Sequence, residues 1–571
     1  MLGETLEPRS MLAVTASVTS GTLNIVLGTA GDAAFLSYGG SSYTLTNGTG
    51  VPVSGSPFSG VTAAVSVAAG AGNQSFTFNG STALPVSLTV DSAVEATSIS
   101  TAINASGLAT STVSISSPVI TLAADISTTG VQTYVGAVQL AGSPSLTSSN
   151  GAVTFKSTVD AYFDMSPQAT IVIGSSPCSV SVGDLNGDGK PDLAIANFDS
   201  DSVSVLLNTT APGATTPTYS PEAQFATKTS PRSVAIGDLN DDGKPDLAIA
   251  NFISDSVSVL LNTTAAGATT PNYVNQITFA SGSGPGSVSI GDLNGDGKPD
   301  LAIACKGLDG VSVLLNTRAA GEAIPTFASP STFATGSDPY SVSIGDFNGD
   351  GKPDLAVANF TSNSVSVLLN TTAPDATTPS YANQATFATG SKPFSVSIGD
   401  LSGDGKPDLA IANSASNSVS VLLNTTASGA PTPSYASQAT FATGDTPLSV
   451  SIGDLNGDGK PDLAIANSYS NSVSVLLNTT APGAPTPSYA SQATFATESR
   501  PLSVSIGDFN GDGKPDLAIA NYNSNSVSVL LNATTPGNPT VSSLNGTTFA
   551  APVGGTTPLG SLAIANGPTS L

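Results

Sequence analysis

The sequence contains no histidine, no tryptophan and only two cysteines among its 571 residues. Without histidine, the usual general base for a serine or cysteine nucleophile is absent, and so is the commonest nitrogen ligand of transition metals. The two cysteines, Cys178 and Cys305, lie in the first and third copies of an internal repeat. Because a disulfide between them would have to skip a copy, we expect two unpaired thiols.

Basic residues are also scarce: 15 Lys and Arg stand against 40 Asp and Glu, giving a formal net charge of −25. This balance disfavours binding to nucleic acid or anionic lipid, so we expect neither as a partner. No apolar run approaches the roughly 18 residues of a membrane-spanning helix, so no membrane insertion is expected. The length exceeds what one hydrophobic core serves, which indicates two or more domains.

One acidic loop, D-x-[NS]-x-D-G-K-P-D, occurs seven times in the chain. Its first residue lies 54 residues after that of the preceding copy, at Asp184, Asp238, Asp292, Asp346, Asp400, Asp454 and Asp508. A fixed spacing of this kind predicts a repeat array over the C-terminal two-thirds of the chain.

The loop carries the donor set of a calcium site. Copy one places Asp184, Asn186 and Asp188 at positions 1, 3 and 5, and Asp192 at position 9. The backbone carbonyl of Lys190, at position 7, is a further donor. Hard oxygen donors at alternate positions suit calcium better than zinc or copper. A single Asp/Asn/Gly loop also forms a simple turn, but seven copies with one spacing predict about seven Ca²⁺ ions, one per copy.

The predicted ligands form seven sets of five, in which the Lys contributes only its carbonyl: Asp184, Asn186, Asp188, Lys190, Asp192; Asp238, Asn240, Asp242, Lys244, Asp246; Asp292, Asn294, Asp296, Lys298, Asp300; Asp346, Asn348, Asp350, Lys352, Asp354; Asp400, Ser402, Asp404, Lys406, Asp408; Asp454, Asn456, Asp458, Lys460, Asp462; Asp508, Asn510, Asp512, Lys514, Asp516. The predicted ligands include 21 of the 40 acidic residues, so the acidity of the chain is mostly metal ligands. In the fifth copy a hydroxyl, that of Ser402, replaces the amide, and we expect this site to be the weakest.

Each repeat unit predicts four short strands. SVSI, DLAIAN, SVSVLLN and QATFAT alternate small residues with Val, Ile and Leu and are separated by turn residues. Four antiparallel strands per unit and seven units favour a closed seven-bladed β-propeller of four-stranded blades, since closure removes exposed sheet edges. An open solenoid is the alternative.

The unit SVSIGDLNGDGKPDLAIAN resembles the FG-GAP or VCBS repeat, the calcium-binding blade of the integrin alpha-chain propeller and of many bacterial secreted proteins. The resemblance covers about residues 166–552. It implies a seven-bladed propeller whose calcium loop joins the two innermost strands on the lower face, with partners engaging the upper face. The chain departs from integrins in using Asn or Ser at loop position 3.

Closure of the ring has two candidate strands, residues 168–174 before the first copy and residues 547–553 after the last. We expect one of them to complete the last blade. Residues 553–571 form a tail in which SLAIAN, at 561–566, copies a second strand without the loop that should precede it. This run is interpreted as a degenerate partial repeat.

Residues 13–160 lack the acidic loop and contain short alternating runs, which predict a β-rich region. Ile120/Leu122, Val138/Leu140 and Val153/Phe155 recur at 18 and then 15 residues, near the length of a small solenoid turn. A parallel β-helix fragment is the most economical interpretation, and the sequence is similar to the stalks of haemagglutinin-like bacterial surface proteins. A β-sandwich explains the same alternation.

Residues 1–12 resemble the LEPR-XLL segment of exported planctomycete proteins, with an unstructured leader as the alternative. Calcium loops of moderate affinity fill where calcium is abundant, which favours an extracellular or cell-surface location. The Asn-Thr-Thr strings at Asn208, Asn262, Asn370, Asn424 and Asn478 fit glycosylation acceptors formally, but a turn role is favoured.

Other chemistries fit poorly. In GDLNGDGK the glycine spacing is wrong for a phosphate loop, and Pro follows the Lys. Paired carboxylates of a glycosidase should occur once, whereas these recur in every copy. We therefore expect no enzyme activity.

The positions at which the copies differ predict a binding face. One set precedes the first strand: Cys178, Arg232, Gly286, Tyr340, Phe394, Leu448 and Leu502. The other follows the second strand: Phe198, Phe252, Lys306, Phe360, Ser414, Ser468 and Tyr522. Both should emerge on the upper face, opposite the metal loops.

The candidate ligand residues within these two sets are Arg232, Phe252, Tyr340, Phe360, Phe394 and Tyr522. We expect Tyr340, Phe360 and Phe394 to form one aromatic patch, beside Arg232 and Phe252 of blade 2. Relaxed variation at loop tips is the alternative. A surface adhesion or recognition module that binds a surface protein or polysaccharide is therefore the first hypothesis. A structural spacer or filament component is the second, and a secreted enzyme on a calcium-held scaffold is the last.

Overall fold

A computed structural model describes residues 163–534 continuously. Outside that range it describes strands and a few adjoining residues between 15 and 161 and between 540 and 570. The chain divides into two compact units, one made of residues 1–164 together with 534–571 and the other of residues 165–533. In the described residues no helix is long and apolar enough to cross a membrane.

Residues 165–533 form the predicted propeller, with seven four-stranded antiparallel sheets. The innermost strands are Pro177–Gly183, Pro231–Gly237, Pro285–Gly291, Pro339–Gly345, Pro393–Gly399, Pro447–Gly453 and Pro501–Gly507. The second strands are Asp192–Asn197, Asp246–Asn251, Asp300–Cys305, Asp354–Asn359, Asp408–Asn413, Asp462–Asn467 and Asp516–Asn521. The third strands are Ser202–Leu206, Ser256–Leu260, Gly310–Leu314, Ser364–Leu368, Ser418–Leu422, Ser472–Leu476 and Ser526–Leu530. The outermost strands of blades 1 to 6 are Ala223–Ala226, Ile277–Ala280, Ser331–Ala334, Ala385–Ala388, Ala439–Ala442 and Ala493–Ala496.

The sequence L-A-I-A in the second strand explains how blades pack. Alternation places Leu193 and Ile195 on one face of blade 1, where they cluster with Ala518 and Ala520 of blade 7. The small face of each blade therefore receives the large face of its neighbour. Both central strands of every blade are buried on both sides, which is why their sequence lacks charged residues after the first Asp.

The seventh blade is completed by the N-terminal candidate strand. Ala169–Val172 pairs with the third strand of blade 7 in antiparallel register, with Ala169 opposite Val529. On the other side of the ring junction, Ser505 Oγ donates to Val180 O at 2.7 Å. The propeller is therefore closed, and the open solenoid is excluded for these residues.

Serines of the innermost strands link neighbouring blades around the axis. Six of the seven blades donate a Ser hydroxyl to a Val carbonyl of the next blade at 2.7–2.8 Å. Blade 2 has Ala235 at this position. The channel inside this ring has a volume of about 630 Å³ and is lined in the described residues by Ser and aliphatic side chains.

Blade 3 departs most from the repeat. Cys305 replaces the Asn that ends the second strand in the other blades, and a 3₁₀ turn, Lys306–Leu308, follows it. Cys305 is buried, and burial raises the pKa of its thiol to about 11. Cys178 and Cys305 are both unpaired, as expected.

The other compact unit contains the predicted parallel solenoid. One row of parallel strands comprises Thr22–Leu27, Ala64–Ala69, Ser87–Val90, the first halves of Val113–Leu122 and Gln132–Leu140, Val153–Phe155, Thr547–Phe549 and Thr569–Ser570. A second comprises Ala33–Tyr38, Ser75–Phe78, Ala96–Ile99, the second halves of the two long strands and Val159–Ala161. A third comprises Ile103–Asn104, Ile126–Thr128, Ser145–Ser148, Thr540–Ser543 and Ala563–Ala565.

Two further strands, Thr15–Thr19 and Tyr43–Asn47, pair antiparallel with their neighbours. The parallel rows exclude the β-sandwich alternative for the described strands.

The predicted solenoid register was partly wrong. Ile120 pairs with Val138, 18 residues on, as expected. Val153 and Phe155 pair instead with Gln132 and Tyr134, 21 residues earlier. The long strand Gln132–Leu140 belongs to two rows, so its first half, and not its second, meets Val153–Phe155. The rings of Tyr134 and Phe155 stack with centroids 5.2 Å apart.

The C-terminal residues belong to the solenoid unit, contrary to expectation. Thr547–Phe549 pairs in parallel with Val153–Phe155, so it does not close the propeller. Ala563–Ala565 pairs in parallel with Thr540–Ser542 and is therefore not a remnant blade. The expected propeller range of 166–552 was too long by this segment. Because residues 169–172 already supply the fourth strand of blade 7, a C-terminal strand is not needed to complete it.

Candidate metal loops and ligand face

Each acidic loop connects the innermost strand of a blade to its second strand, as the resemblance implied. In blade 1, Asp184 Oδ1 accepts the Asp188 N–H at 3.1 Å and its Oδ2 accepts the Gly189 N–H at 2.8 Å. Asn186 Oδ1 also accepts the Asp188 N–H at 3.1 Å. Gly189 has a φ of 84°, a left-handed conformation that favours glycine. Side-chain oxygens of positions 1 and 3 thus shape the loop.

The Asp at position 9 is fully buried in all seven loops. In blade 1, Asp192 Oδ2 accepts the Leu185 N–H at 2.8 Å and Oδ1 accepts the Asn208 N–H at 2.7 Å. Burial, with a smaller contribution from nearby Asp188 and Asp184, raises the pKa of Asp192 to about 6, although the two hydrogen bonds act to lower it. Within residues 163–534 no Lys or Arg forms an ion pair with any of these seven Asp residues. A buried carboxylate without a cation is the environment that a bound metal ion would relieve.

The sixth loop contains an unsatisfied carboxylate oxygen. Asp458 Oδ2 is buried without a hydrogen-bond partner. Burial raises the pKa of the neighbouring Asp462 to about 8, with Asp458 and Asp454 adding to the increase. The all-oxygen donor set and this orphaned oxygen fit a hard cation.

The three carboxylates of a loop are nevertheless not gathered together. In the described part of the chain, no three His, Cys, Asp or Glu side chains cluster closely enough to hold a metal ion. Loop N–H groups occupy the carboxylates instead, and some lysines assist: Lys298 Nζ lies 3.0 Å from Asp296 Oδ2, and Lys514 Nζ lies 3.7 Å from Asp512 Oδ2. Lys190 Nζ donates to Thr210 O at 3.0 Å.

Seven buried asparagines link each loop to the preceding blade, a role that the sequence did not reveal. In blade 2, Asn262 Nδ2 donates to Pro245 O of its own loop at 2.9 Å and to Leu185 O of the blade 1 loop at 2.8 Å. Its Oδ1 accepts the Thr264 N–H at 2.9 Å, which is the predicted turn. The members of this set are Asn208, Asn262, Asn316, Asn370, Asn424, Asn478 and Asn532. Because these asparagines are buried, they are not glycosylation acceptors. Their presence in all seven copies is the sequence feature that could have indicated their structural role.

The Asn at loop position 3 forms a second link between blades. Asn186 Nδ2 donates to Ala268 O of blade 2 at 3.0 Å, and the equivalent bond occurs from Asn240, Asn294, Asn348 and Asn510 at 3.0–3.2 Å. Ser402 has no amide to donate. Its backbone bonds remain, with the N–H donated to Asp408 Oδ2 at 3.0 Å and the carbonyl accepting the Gly483 N–H at 2.7 Å.

The variable positions lie at the opposite end of the blades, because Pro177 pairs with Asn197 at the end away from the loop. There they surround a cavity of about 550 Å³. Tyr340 lies 4.8 Å from Phe394 and 5.0 Å from Phe360 between ring centroids, and Phe360 lies 6.3 Å from Phe394. The structure therefore brings together the three aromatic residues that the sequence analysis grouped.

Arg232 of blade 2 reaches across to blades 4 and 5. Its guanidinium carbon lies 4.8 Å from the ring centroid of Tyr340, 5.2 Å from that of Phe252 and 5.5 Å from that of Phe394. Gly286 occupies the equivalent position on the intervening blade, where an added Cβ would lie 3.1 Å from Tyr340 O. The missing side chain leaves space between Arg232 and Tyr340.

A third variable position contributes to this face and was missed from sequence. It is the residue before the first Pro of each blade, and it has φ between 55° and 65° in all seven: Ser176, Ser230, Gly284, Asp338, Lys392, Thr446 and Arg500. Lys392 Nζ lies 5.4 Å from the Phe360 ring centroid, and the guanidinium of Arg500 lies 4.9 Å from that of Tyr522. Tyr522 in turn lies 6.4 Å from Phe198. Variation among the copies at this position is the sequence feature that could have identified it as part of the face.

The described fold and loops define a closed seven-bladed propeller with an acidic loop in every blade. The FG-GAP-like repeat model matches residues 184–249, 238–303, 346–411, 400–465 and 454–519, together more than half of the chain. The chain belongs to the FG-GAP-like repeat family. No curated protein matches its sequence significantly.

Several solved structures share a similar arrangement at low identity. BBS1N in complex with ARL6DN is 12% identical, with 66% of this chain and 98% of that chain covered and a TM-score of 0.42. Hydrazine synthase of Kuenenia stuttgartiensis is 18% identical, with 63% and 96% covered and a TM-score of 0.41. A humanized mutant of Polycomb Repressive Complex 2 from Chaetomium thermophilum is 10% identical, with 66% and 98% covered and a TM-score of 0.45. Similarities of this size carry no functional argument.

Proposed function

We propose that the protein is an extracellular, calcium-binding recognition module that binds a surface partner on the upper face of its propeller. The observation that carries this proposal is the contact of Arg232 with Phe252, Tyr340 and Phe394. In a set of nearly identical blades, these residues of blades 2, 4 and 5 occupy the positions that vary among the copies. Aromatic and Arg side chains commonly dominate binding energy at interfaces.

Calcium is the proposed structural cofactor. The side chains at loop positions 1, 3, 5 and 9 and the carbonyl at position 7 would hold it, as in the set Asp184, Asn186, Asp188, Asp192 and Lys190. A bound cation would neutralise the buried Asp192 and satisfy oxygens of the kind left orphaned at Asp458. It would thereby stabilise the end of the propeller opposite the ligand face.

The extracellular location rests on the calcium requirement and on the N-terminal resemblance to exported proteins, in a segment outside the described residues. We assign no catalytic activity. This is supported by the absence of histidine from the chain and by the Ser and aliphatic lining of the described channel.

Capture of partners from native cell-envelope material tests the recognition role. The double variant Tyr340→Ala/Phe394→Ala should weaken binding by about 2 kcal/mol or more, because it removes two buried aromatic rings from the interface. The matched control is Lys244→Gln/Lys406→Gln on the lower face, which should capture the same partners as wild type. Unchanged capture by the aromatic variant, with loss in the control, would place the binding face at the metal loops.

A structural spacer is the second candidate. It is favoured by one observation: in the sequence, the propeller interrupts a solenoid, between Val159–Ala161 and Thr540–Ser543. Envelope fractions and glycan panels that yield no partner for wild-type protein in calcium would support the spacer over the recognition module.

A further inference from the structure

Basic side chains outside the acidic loops are concentrated at the upper cavity. The chain has 15 Lys and Arg, of which seven occupy loop position 7. Of the other eight, Arg232, Lys306, Lys392 and Arg500 each contact an aromatic ring of this face. The charged side chains that line the cavity, Arg232, Lys392 and Arg500, are all basic, although the chain has a net charge of −25. Such a lining attracts an anion.

Three of these four cations have no carboxylate partner. Lys306 is the exception, since its Nζ donates to the Tyr340 hydroxyl at 2.9 Å and lies 3.8 Å from Asp338 Oδ1. The side chains of Arg232, Lys392 and Arg500 form no ion pair or hydrogen bond within the described residues, and each has its charged group over an aromatic ring. Their donors are therefore free for a ligand.

Arg232 is the best placed of the three. Arg232 is half-buried and its guanidinium lies near three rings, which restricts its orientation before a ligand arrives. A planar guanidinium presents paired N–H donors that match the two oxygens of a carboxylate. Contacts with aromatic rings satisfy none of the N–H donors of Arg232, which therefore remain available. The preferred ligand group is thus a carboxylate.

The other residues that line the cavity indicate which kind of molecule bears the carboxylate. The cavity of about 550 Å³ is within the range that encloses a small organic molecule. Its lining adds the hydroxyl-bearing residues Ser414, Thr446 and Ser468 to the aromatic ring faces. Hydroxyl groups beside aromatic faces suit a ligand that has both hydroxyls and an apolar ring face. A pyranose ring has both features, whereas an acidic peptide side chain offers only the carboxylate.

We propose that the upper cavity binds an acidic saccharide, with the carboxylate of a uronic acid residue bound by Arg232 and its ring against the aromatic wall. This inference rests on the proposed recognition function and specifies its ligand. Lys392 and Arg500 supply additional positive charge at the rim of the cavity.

The test is calorimetric titration of the full chain in calcium with short glucuronic acid oligosaccharides. The comparison ligand is the same oligosaccharide with its carboxyl groups reduced to alcohols. Reduction should weaken binding roughly tenfold or more, because the charge-assisted pair with Arg232 is lost. Arg232→Gln should cause a similar loss with the acidic ligand, and Arg232→Lys a smaller one. Lys228→Gln, which removes an exposed charge away from the cavity, is the matched control and should bind like wild type.

Each other outcome overturns the inference in a distinct way. Equal binding of acidic and reduced ligands would exclude the carboxylate. Binding of glutamate-rich peptides through Arg232, with no binding of saccharide, would replace the ligand class. If no saccharide binds but envelope capture still depends on Tyr340 and Phe394, the saccharide inference fails and the recognition function stands. If that capture fails as well, both are wrong.

Discussion

The two ends of the propeller are built from the same repeat, but the residues at the lower end are nearly the same in every blade, whereas those at the upper end differ between blades. At the lower end, every blade contributes nearly the same acidic loop, and buried asparagines such as Asn262 connect each loop to the preceding one. At the upper end, equivalent positions hold Arg232, Gly286, Tyr340 and Phe394. Uniformity at one end fits a shared structural task, because every blade has the same buried Asp to neutralise. Difference at the other end creates a single asymmetric cavity, which seven identical blades cannot form.

The largest expected effect is that of removing calcium, which should lower the thermal stability of the propeller by destabilising its lower end. Binding selective for the native state adds about 2.7 kcal/mol per site at a hundredfold excess over Kd. With seven sites, a strong chelator should lower the melting temperature of the propeller by roughly 10 °C or more. Differential scanning calorimetry with and without chelator measures this. A melting curve that does not change, after metal analysis shows that calcium has left, would contradict the calcium assignment.

The next largest decrease in stability is expected from removing one of the asparagines that connect neighbouring blades at the lower end. Asn424→Ala removes an amide that donates to Phe347 O at 2.9 Å and Pro407 O at 3.1 Å. Because both carbonyls lose a buried donor, the free energy of unfolding should fall by about 2 to 4 kcal/mol in chemical denaturation. The neighbouring exposed Thr425→Ala is the control and should change it by less than about 0.5 kcal/mol. Equal effects in the two variants would show that the asparagine link is unimportant.

Replacing Ala235, the one non-serine residue in the ring of hydrogen-bonding serines, with serine should stabilise the propeller by a smaller amount. Ala235→Ser supplies the hydroxyl that six other blades donate to the next blade. One added hydrogen bond should raise the free energy of unfolding by about 0.5 to 1.5 kcal/mol. The reverse change in blade 3, Ser289→Ala, should lower it by a similar amount. If both variants shift stability in the same direction, the serine ring does not contribute as described.

The smallest expected change is confined to one loop. Ser402→Asn should restore both the amide oxygen donor and the cross-blade amide bond that five other blades show. Calorimetric calcium titration should show one weaker site among seven in wild type, and that site should become like the rest in the variant. Seven equivalent sites in the wild-type titration would mean that the hydroxyl or a water serves equally well.

The sequence predicted the propeller because each 54-residue copy carries its own strands, turn and loop, so local patterns suffice. It did not predict the solenoid register, since Gln132–Leu140 contributes to two rows and pairs Tyr134 with Phe155. The sequence also did not predict the hydrogen bonds by which the buried asparagines connect neighbouring blades. An invariant Asn in a turn looks the same whether it serves its own loop or contacts the next blade.

Only part of the upper face could be predicted. Variation among copies identified Tyr340, Phe360 and Phe394, and predicted that Arg232 and Phe252 lie beside them. The sequence did not predict that the guanidinium of Arg232, in blade 2, contacts the ring of Phe394, in blade 5, since this depends on a long side chain crossing the ring of blades. Periodicity describes which residues share a face but not how far a side chain extends over it.

The two ends of the propeller chain lie side by side. Ser166 N–H donates to Leu531 O at 2.7 Å, and Met165 bridges to Asn532. An unstructured insert of several hundred residues would cost roughly 5 kcal/mol in closure entropy, whereas this folded insert returns the chain to where it left. The last blade takes its outermost strand, Ala169–Val172, from the start of the segment. Since this strand, and not one of the seven copies, closes the ring, a change in the number of copies would leave the chain entering and leaving the propeller at the same blade.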